Sequence, residues 1–366
     1  MNILNQETIV SSLLRWWDEG HAMLPWRENR DPYAIWVSEI MLQQTQIATV
    51  IPYYERWMKR LPTIIALYQA SLDDVLKLWE GLGYYSRARN LHAAAQIVIR
   101  DYGGKLPHTV AELKKLPGIG PYTAGAIASI AFDQPVPVLD GNIIRLFSRL
   151  IDLADDVTAT ATKRQLWRLA ASLVPERRPG VYNQALMELG QECCRPVVPQ
   201  CSRCPLEAIC LARQRGTEQQ RPVRPPRKRI PHYDVVAGII WRGEERSASA
   251  PFMIAQRPLD GLLGGLWEFP GGKQEAGESL QQTLRREIRE ELAIDIAVGQ
   301  QLTIVKHAYT HFRITLHALH AHLVSGAPQH VGVADHAWVT LTDLDNYAFA
   351  TADRQIIAAL RTSFLA

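Results

Sequence analysis

Cysteine is nearly missing from this chain outside one short stretch. Of 366 residues five are cysteine, and all five lie between Cys193 and Cys210. Long hydrophobic runs are missing too: no segment approaches the roughly 20 apolar residues that a membrane span needs, so no membrane association is expected. The N-terminal stretch carries Glu7, Arg15 and Asp18 and has no apolar core of signal-peptide length. It reads as an amphipathic helix with Ile9, Leu13, Trp16 and Trp17 near one face. These absences point to the cytoplasm, a reducing compartment in which clustered cysteines are not disulfides. Excess charge is lacking as well. The net charge of +3 is too small to announce a nucleic-acid partner. There are no internal repeats, and 47% hydrophobic with 21% charged residues describes an ordinary globular protein long enough for two or three domains.

What is present changes character along the chain. Up to about Leu211, apolar residues recur at helical spacing in 34–48, 72–80, 90–100, 121–132 and 162–174, with Pro and Gly breaks and no strand alternation. The stretch 213–231 carries Arg221, Arg224, Arg227, Lys228 and Arg229 among prolines and reads as an exposed, semi-rigid basic linker. Beyond it, 233–241, 252–257 and 302–324 have strand character, and helices are expected at 279–292 and 352–364, an α+β pattern. The expected organisation is an all-α region over 1–212, a linker over 213–231 and an α+β domain over 232–366.

Three features carry chemistry. Cys194, Cys201, Cys204 and Cys210 have the spacing C-x6-C-x2-C-x5-C, and Pro196, Pro199 and Pro205 favour irregular backbone there. Four thiolates suit zinc or an iron–sulfur cluster, but only Cys201 and Cys204 have zinc-ribbon spacing. Cys193 is left as a packed small residue. The turn Leu116-Pro117-Gly118-Ile119-Gly120 lies between two helical patterns, and the helix after it offers unpaired N–H groups to a phosphate. Twenty residues past it, Asp140 stands in an apolar run, where it serves either as a helix N-cap or as a working carboxylate. The helical stretch WVSEIMLQQTQ carries a single acid, Glu39, whose pKa rises if it is buried and which is otherwise a surface residue.

These motifs resemble those of the helix–hairpin–helix glycosylases, and the stretches LPWR, SEIMLQQTQ and GLGYYSRARN resemble the MutY-type adenine glycosylases rather than the endonuclease III type. The resemblance covers essentially the whole chain. It implies an all-α glycosylase region with the hairpin at 110–132 and a 4Fe–4S loop at 194–210, followed by an α+β Nudix-like domain. It further implies that Glu39 protonates adenine, that Asp140 stabilises an oxocarbenium-like sugar, and that Tyr122 and Asn142 support them. Trp26, Arg27 and Gln184 would form the adenine pocket, Gln44 and Tyr84 would enter the base stack, and Gly118 and Gly120 would meet DNA. Tyr85 is expected in the core.

The implied partner is double-stranded DNA holding an 8-oxoguanine:adenine or guanine:adenine mispair, bound by a monomer. Bifunctional relatives carry Lys where this chain has Tyr122, so little strand cleavage is expected. In the C-terminal domain Gly272-x5-Glu278-x7-Arg286-Glu287-Ile288-Arg289-Glu290-Glu291-Leu292-Ala293 resembles a Nudix box with Ala293 in place of Gly. Glu287, Glu290 and Glu291 share a helix face and suit Mg²⁺, although ordinary (i, i+4) pairing would also account for them. Tyr309, Thr310 and His311 match the lesion-reading loop of the family, or form a plain hairpin tip. The competing readings are a Nudix nucleotide pyrophosphohydrolase fused to a DNA-binding module, a DNA-binding protein without activity, and a lyase acting on oxidised pyrimidines.

Overall fold

A computed structural model describes residues 5–226 and 230–364; Arg227, Lys228 and Arg229 of the expected linker lie outside the described residues. Fourteen helices and six strands occur among the described residues. The helices are α1 (6–19), α2 (32–42), α3 (47–60), α4 (64–69), α5 (72–79), α6 (86–102), α7 (110–113), α8 (121–132), α9 (141–150), α10 (160–173), α11 (179–192), α12 (211–215), α13 (280–292) and α14 (351–363). The strands are β1 (232–241), β2 (252–256), β3 (267–268), β4 (295–308), β5 (313–325) and β6 (335–339). The chain divides into two compact units, one of 1–69 with 90–227 and the other of 70–89 with 228–366.

The first unit is helical. Its largest core joins Ile9, Leu13 and Trp17 of α1 to Phe147 and Leu150 of α9, Leu166 of α10, and Tyr182, Leu186 and Leu189 of α11. Helix α2 starts with the Asp31 carboxylate accepting from Tyr33 N–H and Pro32 in the first turn, which suits a residue with no N–H to donate. It is buried all round from Tyr33 to Met41, so it is a central helix rather than an amphipathic one.

The expected continuous pattern over 34–48 is two helices. They are separated at Gln43–Gln46, where Gln44 takes φ +57° and the Gln43 side chain donates to Thr123 Oγ1 at 3.1 Å. The expected exposed linker begins as structure packed on the first unit. Arg149 donates to the carbonyl of Glu218 at 2.8 Å, Arg221 pairs with Asp152 at 2.9 Å, and Val157 N–H donates to Val223 O. Composition hid this, because these arginines find carboxylate and carbonyl partners far away in sequence.

The second unit is built on a mixed sheet ordered β3-β2-β1-β5-β4, with β6 on the far edge of β2; β1 and β5 run parallel and the other pairs antiparallel. Both faces are covered. Val236 and Ile240 of β1 pack with Leu284, Ile288 and Leu292 of α13, while Ala237, Ile239 and Trp241 pack with Ile356, Ile357 and Leu360 of α14. That is why β1 reads as one apolar run instead of an alternation. The segment 70–89 belongs to this unit through polar ties. Glu80 accepts from Phe349 N–H and pairs with Arg354 at 2.6 Å, and Lys77 donates to Tyr347 O at 2.8 Å.

Helix α13 is opened by a capping box between Ser279 and Gln282 and closed by Ala293 at φ +54°, ψ +34°. A left-handed non-glycine residue costs about 1–2 kcal/mol. Ala293→Gly therefore raises stability by about 0.5–1 kcal/mol after the added unfolded-state entropy is subtracted. Calorimetry of the full chain checks this; an unchanged or lowered transition temperature contradicts it.

Candidate active site

Helix α2 carries Glu39 into the interior because the helix is buried from Tyr33 to Met41 and, Ser38 apart, the residues around Glu39 on it are apolar. The residue is only 5% exposed. Burial pushes its carboxyl up to about 7, with Asp140 adding in the same direction and the Tyr122 hydrogen bond opposing. Tyr122, in the first turn of α8, places its hydroxyl 2.9 Å from Glu39 Oε2, as donor. Burial raises the phenol well above its ordinary range, so it stays protonated.

Asp140 serves as the N-cap of α9. Its Oδ1 accepts from Ile143 N–H at 2.8 Å and its Oδ2 from Asn142 Nδ2 at 2.9 Å. Burial holds this carboxyl above its ordinary value too, and those donors and the Arg145 guanidinium oppose the rise. Glu39 has one hydroxyl donor; Asp140 has several and the positive end of a helix. Asp140 is therefore the readier of the two to ionise, and Glu39 the readier to keep its proton.

One cavity of about 740 Å³ is lined by Glu39, Tyr122, Asp140, Asn142, Trp26, Arg27, Gln44 and Gln184. Every residue expected in the first unit's reaction centre and base pocket is thus brought to a single concavity, of the size that encloses a small ligand. The walls depend on close approaches. A Cβ at Gly125 would lie 2.3 Å from Pro137 O, and one at Gly190 would lie 2.8 Å from Asn142 Cβ. Gly118 adopts φ +76° with Asn90 close behind it, so the hairpin admits no side chain there; Gly120, at the start of α8, faces open space.

Glu188 lies on the cavity wall and was not expected. It accepts from Arg27 Nη1 at 2.5 Å and from Ala22 N–H at 2.9 Å; Glu188 is buried and Arg27 largely so. The signal in the sequence was its place four residues after Gln184 on α11, one turn along the same face. Behind the cavity, Arg145 donates to Asn142 Oδ1 at 3.0 Å, to Gly190 O at 2.6 Å and to Cys194 O at 2.6 Å. Arg149 donates to Cys194 Sγ at 3.3 Å and to Arg195 O at 2.7 Å.

Cys194, Cys201, Cys204 and Cys210 line one small cavity with Leu146, Leu150 and Leu206, and buried Cys193 lies beside them. No three of the four expected ligand sulfurs lie within 4.8 Å of one another. A tetrahedral zinc–thiolate site, with Zn–S near 2.3 Å, needs them at roughly 3.8 Å.

In the second unit, Tyr309 to Phe312 form the turn between β4 and β5, closed by Tyr309 N–H donating to Phe312 O at 2.9 Å. Tyr309 leans back on Phe312, with ring centroids 4.8 Å apart, while Thr310 and His311 are exposed at the tip. The Tyr84 hydroxyl is hydrogen-bonded to Thr310 Oγ1. Tyr84 and Gln44 both have positive φ, +48° and +57°, a strained state that native structures keep mostly where a side chain has work to do. Tyr85 is buried, as expected.

A second cavity, of about 360 Å³, is lined by Glu287, Glu291, Glu268, Asp353 and Arg257. Burial pushes Glu291 up to about 8 and Asp353 up to about 7. Glu291 Oε2 is buried without a hydrogen-bond partner. Glu290 is held instead by Arg286, at 3.1 Å and largely exposed.

Residues 37–172 match the HhH-GPD superfamily of base excision DNA repair proteins, and 236–359 match the NUDIX domain. The chain is 37% identical to the adenine DNA glycosylase of rat over 393 residues, covering 94% of this chain and 76% of the relative. The human adenine DNA glycosylase is also 37% identical, with 94% and 72% covered. A solved structure of a thermostable thymine-DNA glycosylase superposes with a TM-score of 0.53 at 28% identity, covering 57% of this chain and 97% of that one.

Removing one partner of a buried ion pair strands the other charge, at a cost of about 3 kcal/mol or more. Arg27→Ala is therefore expected to lose about that much in urea denaturation, and Arg27→Ala with Glu188→Ala to recover part of it. Strict additivity of the two single losses would refute the coupling.

Proposed function

Because the chain belongs to the adenine DNA glycosylase family, we propose that Glu39 and Asp140 carry out its base excision on adenine opposite 8-oxoguanine or guanine in duplex DNA. The reading rests above all on one observation: the two carboxyls share a cavity in which burial raises both, while only Asp140 has several donors that favour its ionised form. A flipped adenine enters between them, because neither acid reaches a stacked base. The Glu39 carboxyl, oriented by Tyr122, gives its proton to adenine N7. The C1′–N9 bond then breaks with its electron pair leaving on the base. The ionised Asp140, steadied by Asn142, stabilises the positive charge left on the sugar until water adds at C1′. Trp26, Arg27 and Gln184 hold the base, with Glu188 keeping Arg27 in place. The hairpin residues Gly118 and Gly120 approach a phosphate at the start of α8.

Tyr122 offers no amine for a Schiff base, so the enzyme is monofunctional. Gln44 and Tyr84 enter the base stack, and Thr310, His311 and Tyr309 read the oxidised guanine.

The four cysteines fit a 4Fe–4S cluster: they are all thiolate donors, enclosed by apolar residues and Arg149, and spaced too widely for one zinc ion. Such a cluster would act structurally, holding the loop whose Cys194 carbonyl accepts from Arg145. Glu287 and Glu291 fit Mg²⁺, since Glu291 Oε2 lacks a partner that a cation would supply. One observation favours nucleotide pyrophosphohydrolase activity as a second reading: Ala293 keeps the left-handed turn that the box requires after its helix.

The test is single-turnover cleavage of duplexes that differ only in the base opposite adenine, followed by alkali. Glu39→Gln is expected to lose a hundredfold or more, on the order of a general acid's contribution. The working form of Glu39 is the protonated one, so the wild-type rate falls as pH rises through about 7. A rate that climbs across that range sinks the assignment, as does efficient borohydride trapping of an enzyme–DNA adduct. Replacing both Thr310 and His311 by alanine is expected to cut the preference for 8-oxoguanine over guanine by about tenfold, the value of one or two hydrogen bonds; an unchanged ratio assigns lesion reading elsewhere.

A further inference from the structure

Outside the lining of the three cavities, the second unit gathers a third set of ligand-type side chains: His330, Asp335 and His336. One donor atom from each lies within 4.8 Å of the other two, the only such group among the described residues. His330 Nε2 is 2.8 Å from His336 Nδ1 and 3.5 Å from Asp335 Oδ1. We propose that these three residues bind a divalent transition-metal ion of the zinc type.

The donor spacing fits such an ion. A zinc–nitrogen bond of about 2.0–2.1 Å sets neighbouring donors of a tetrahedral site roughly 3.3–3.4 Å apart. The observed separations of 2.8 and 3.5 Å lie on either side of that value, so small side-chain shifts admit the ion. Two imidazoles and one carboxylate favour Zn²⁺, Ni²⁺ or Cu²⁺ over Mg²⁺, which takes oxygen donors. The facing ring nitrogens of His330 and His336 share an ordinary N–H···N hydrogen bond when no ion is present. An ion between them satisfies both lone pairs instead.

The backbone around the three residues is fixed before any ion arrives. Gln329 N–H donates to Leu292 O at 2.9 Å, and Val331 and Gly332 N–H both donate to Glu291 O at 3.1 Å. Ala334 N–H donates to Gln256 O at 2.8 Å. His330 thus projects from a loop pinned at one end to α13 and at the other to β2. Asp335 and His336 open strand β6, in register with Gln256 and Ala255. The Asp335 carboxylate is further oriented by accepting from His336 N–H at 2.7 Å, the kind of secondary bond that presets a metal ligand. His330 and Asp335 are exposed and His336 half-buried, so an ion has an entry path and room for water at its remaining position. Once bound, the ion would clip the loop after β5 to the edge strand β6, beside the carboxyl end of α13.

The experiment is equilibrium dialysis of the full chain against Zn²⁺ with metal analysis, on wild type, His330→Ala, His336→Ala and Glu287→Gln. The wild type should hold one more zinc equivalent than either histidine variant at the same free concentration, with affinity falling tenfold or more in each; Glu287→Gln should retain it. His330→Gln, which keeps the loop polar, should match His330→Ala and guards against a folding defect. Equal zinc binding by wild type and all the histidine variants overturns the proposal. Loss of zinc in Glu287→Gln alone overturns it too, by moving the ion to the carboxylates of α13.

Discussion

The structure of the first unit turns on keeping one carboxylic acid out of water. Glu39 sits on a helix buried from Tyr33 to Met41, and a lone ionised carboxylate there would be costly. Holding a proton removes most of that cost, and the Tyr122 hydroxyl supplies the one hydrogen bond the buried group needs. Asp140 meets burial differently, with the first turn of α9 and Asn142 donating to its oxygens. Deeper burial of Glu39 and a larger set of donors on Asp140 set two chemically similar groups apart as an acid and an anion. The rest of the unit maintains that inequality.

Much of that maintenance comes from residues with no chemistry of their own. Gly125 lets α8 press against Pro137, which fixes the approach to Asp140, and Gly190 lets α11 press against Asn142. Arg145 is the common tie, reaching Asn142, Gly190 and the Cys194 carbonyl with one guanidinium. A planar group with several donors suits that task where a lysine would not. The cysteine loop and the cavity therefore share a support, and displacement of Cys194 would reach Asp140 through two hydrogen-bonded side chains.

How much was legible beforehand follows from the range of each interaction. The cysteine spacing, the glycine turn and the single acid in an apolar helix are local, and each stands in the cavity or loop expected for it. Asp140 was open between N-cap and working carboxylate; in the structure it is an N-cap whose oxygens also face the cavity, and one geometry serves both. Glu188 escaped notice because its meaning lies in a partner 161 residues away. The segment 70–89 reads as one more helical stretch, and long-range ties such as Glu80 with Arg354 and Phe349 and Lys77 with Tyr347 join it to the second unit. Strand β3 was missed because two residues give no periodicity to read, and β6 because, unlike the equally short β2, it opens on the polar Asp335 and His336. The basic stretch after Leu211 misled in the opposite sense, since composition reports charge without reporting who neutralises it.

The two positive-φ side chains carry the reasoning one step further. Gln44 interrupts what the apolar pattern presents as a continuous helix, and Tyr84 interrupts the turn between α5 and α6. Glycine would relieve both at no steric cost, and glycine stands next to Tyr84 on its N-terminal side, at Gly83, where φ is +75°. A chain that adopts left-handed backbone at Gly83 without strain, and then keeps a tyrosine in the same region one residue later, is retaining the side chain rather than the turn. The same holds for Gln44, whose neighbour Gln43 is anchored to Thr123 while Gln44 itself is exposed at the rim of the cavity. At these two positions, unlike Ala293, where the left-handed residue only closes a helix, backbone strain points to a side chain kept for contact, and apolar periodicity alone does not make that distinction.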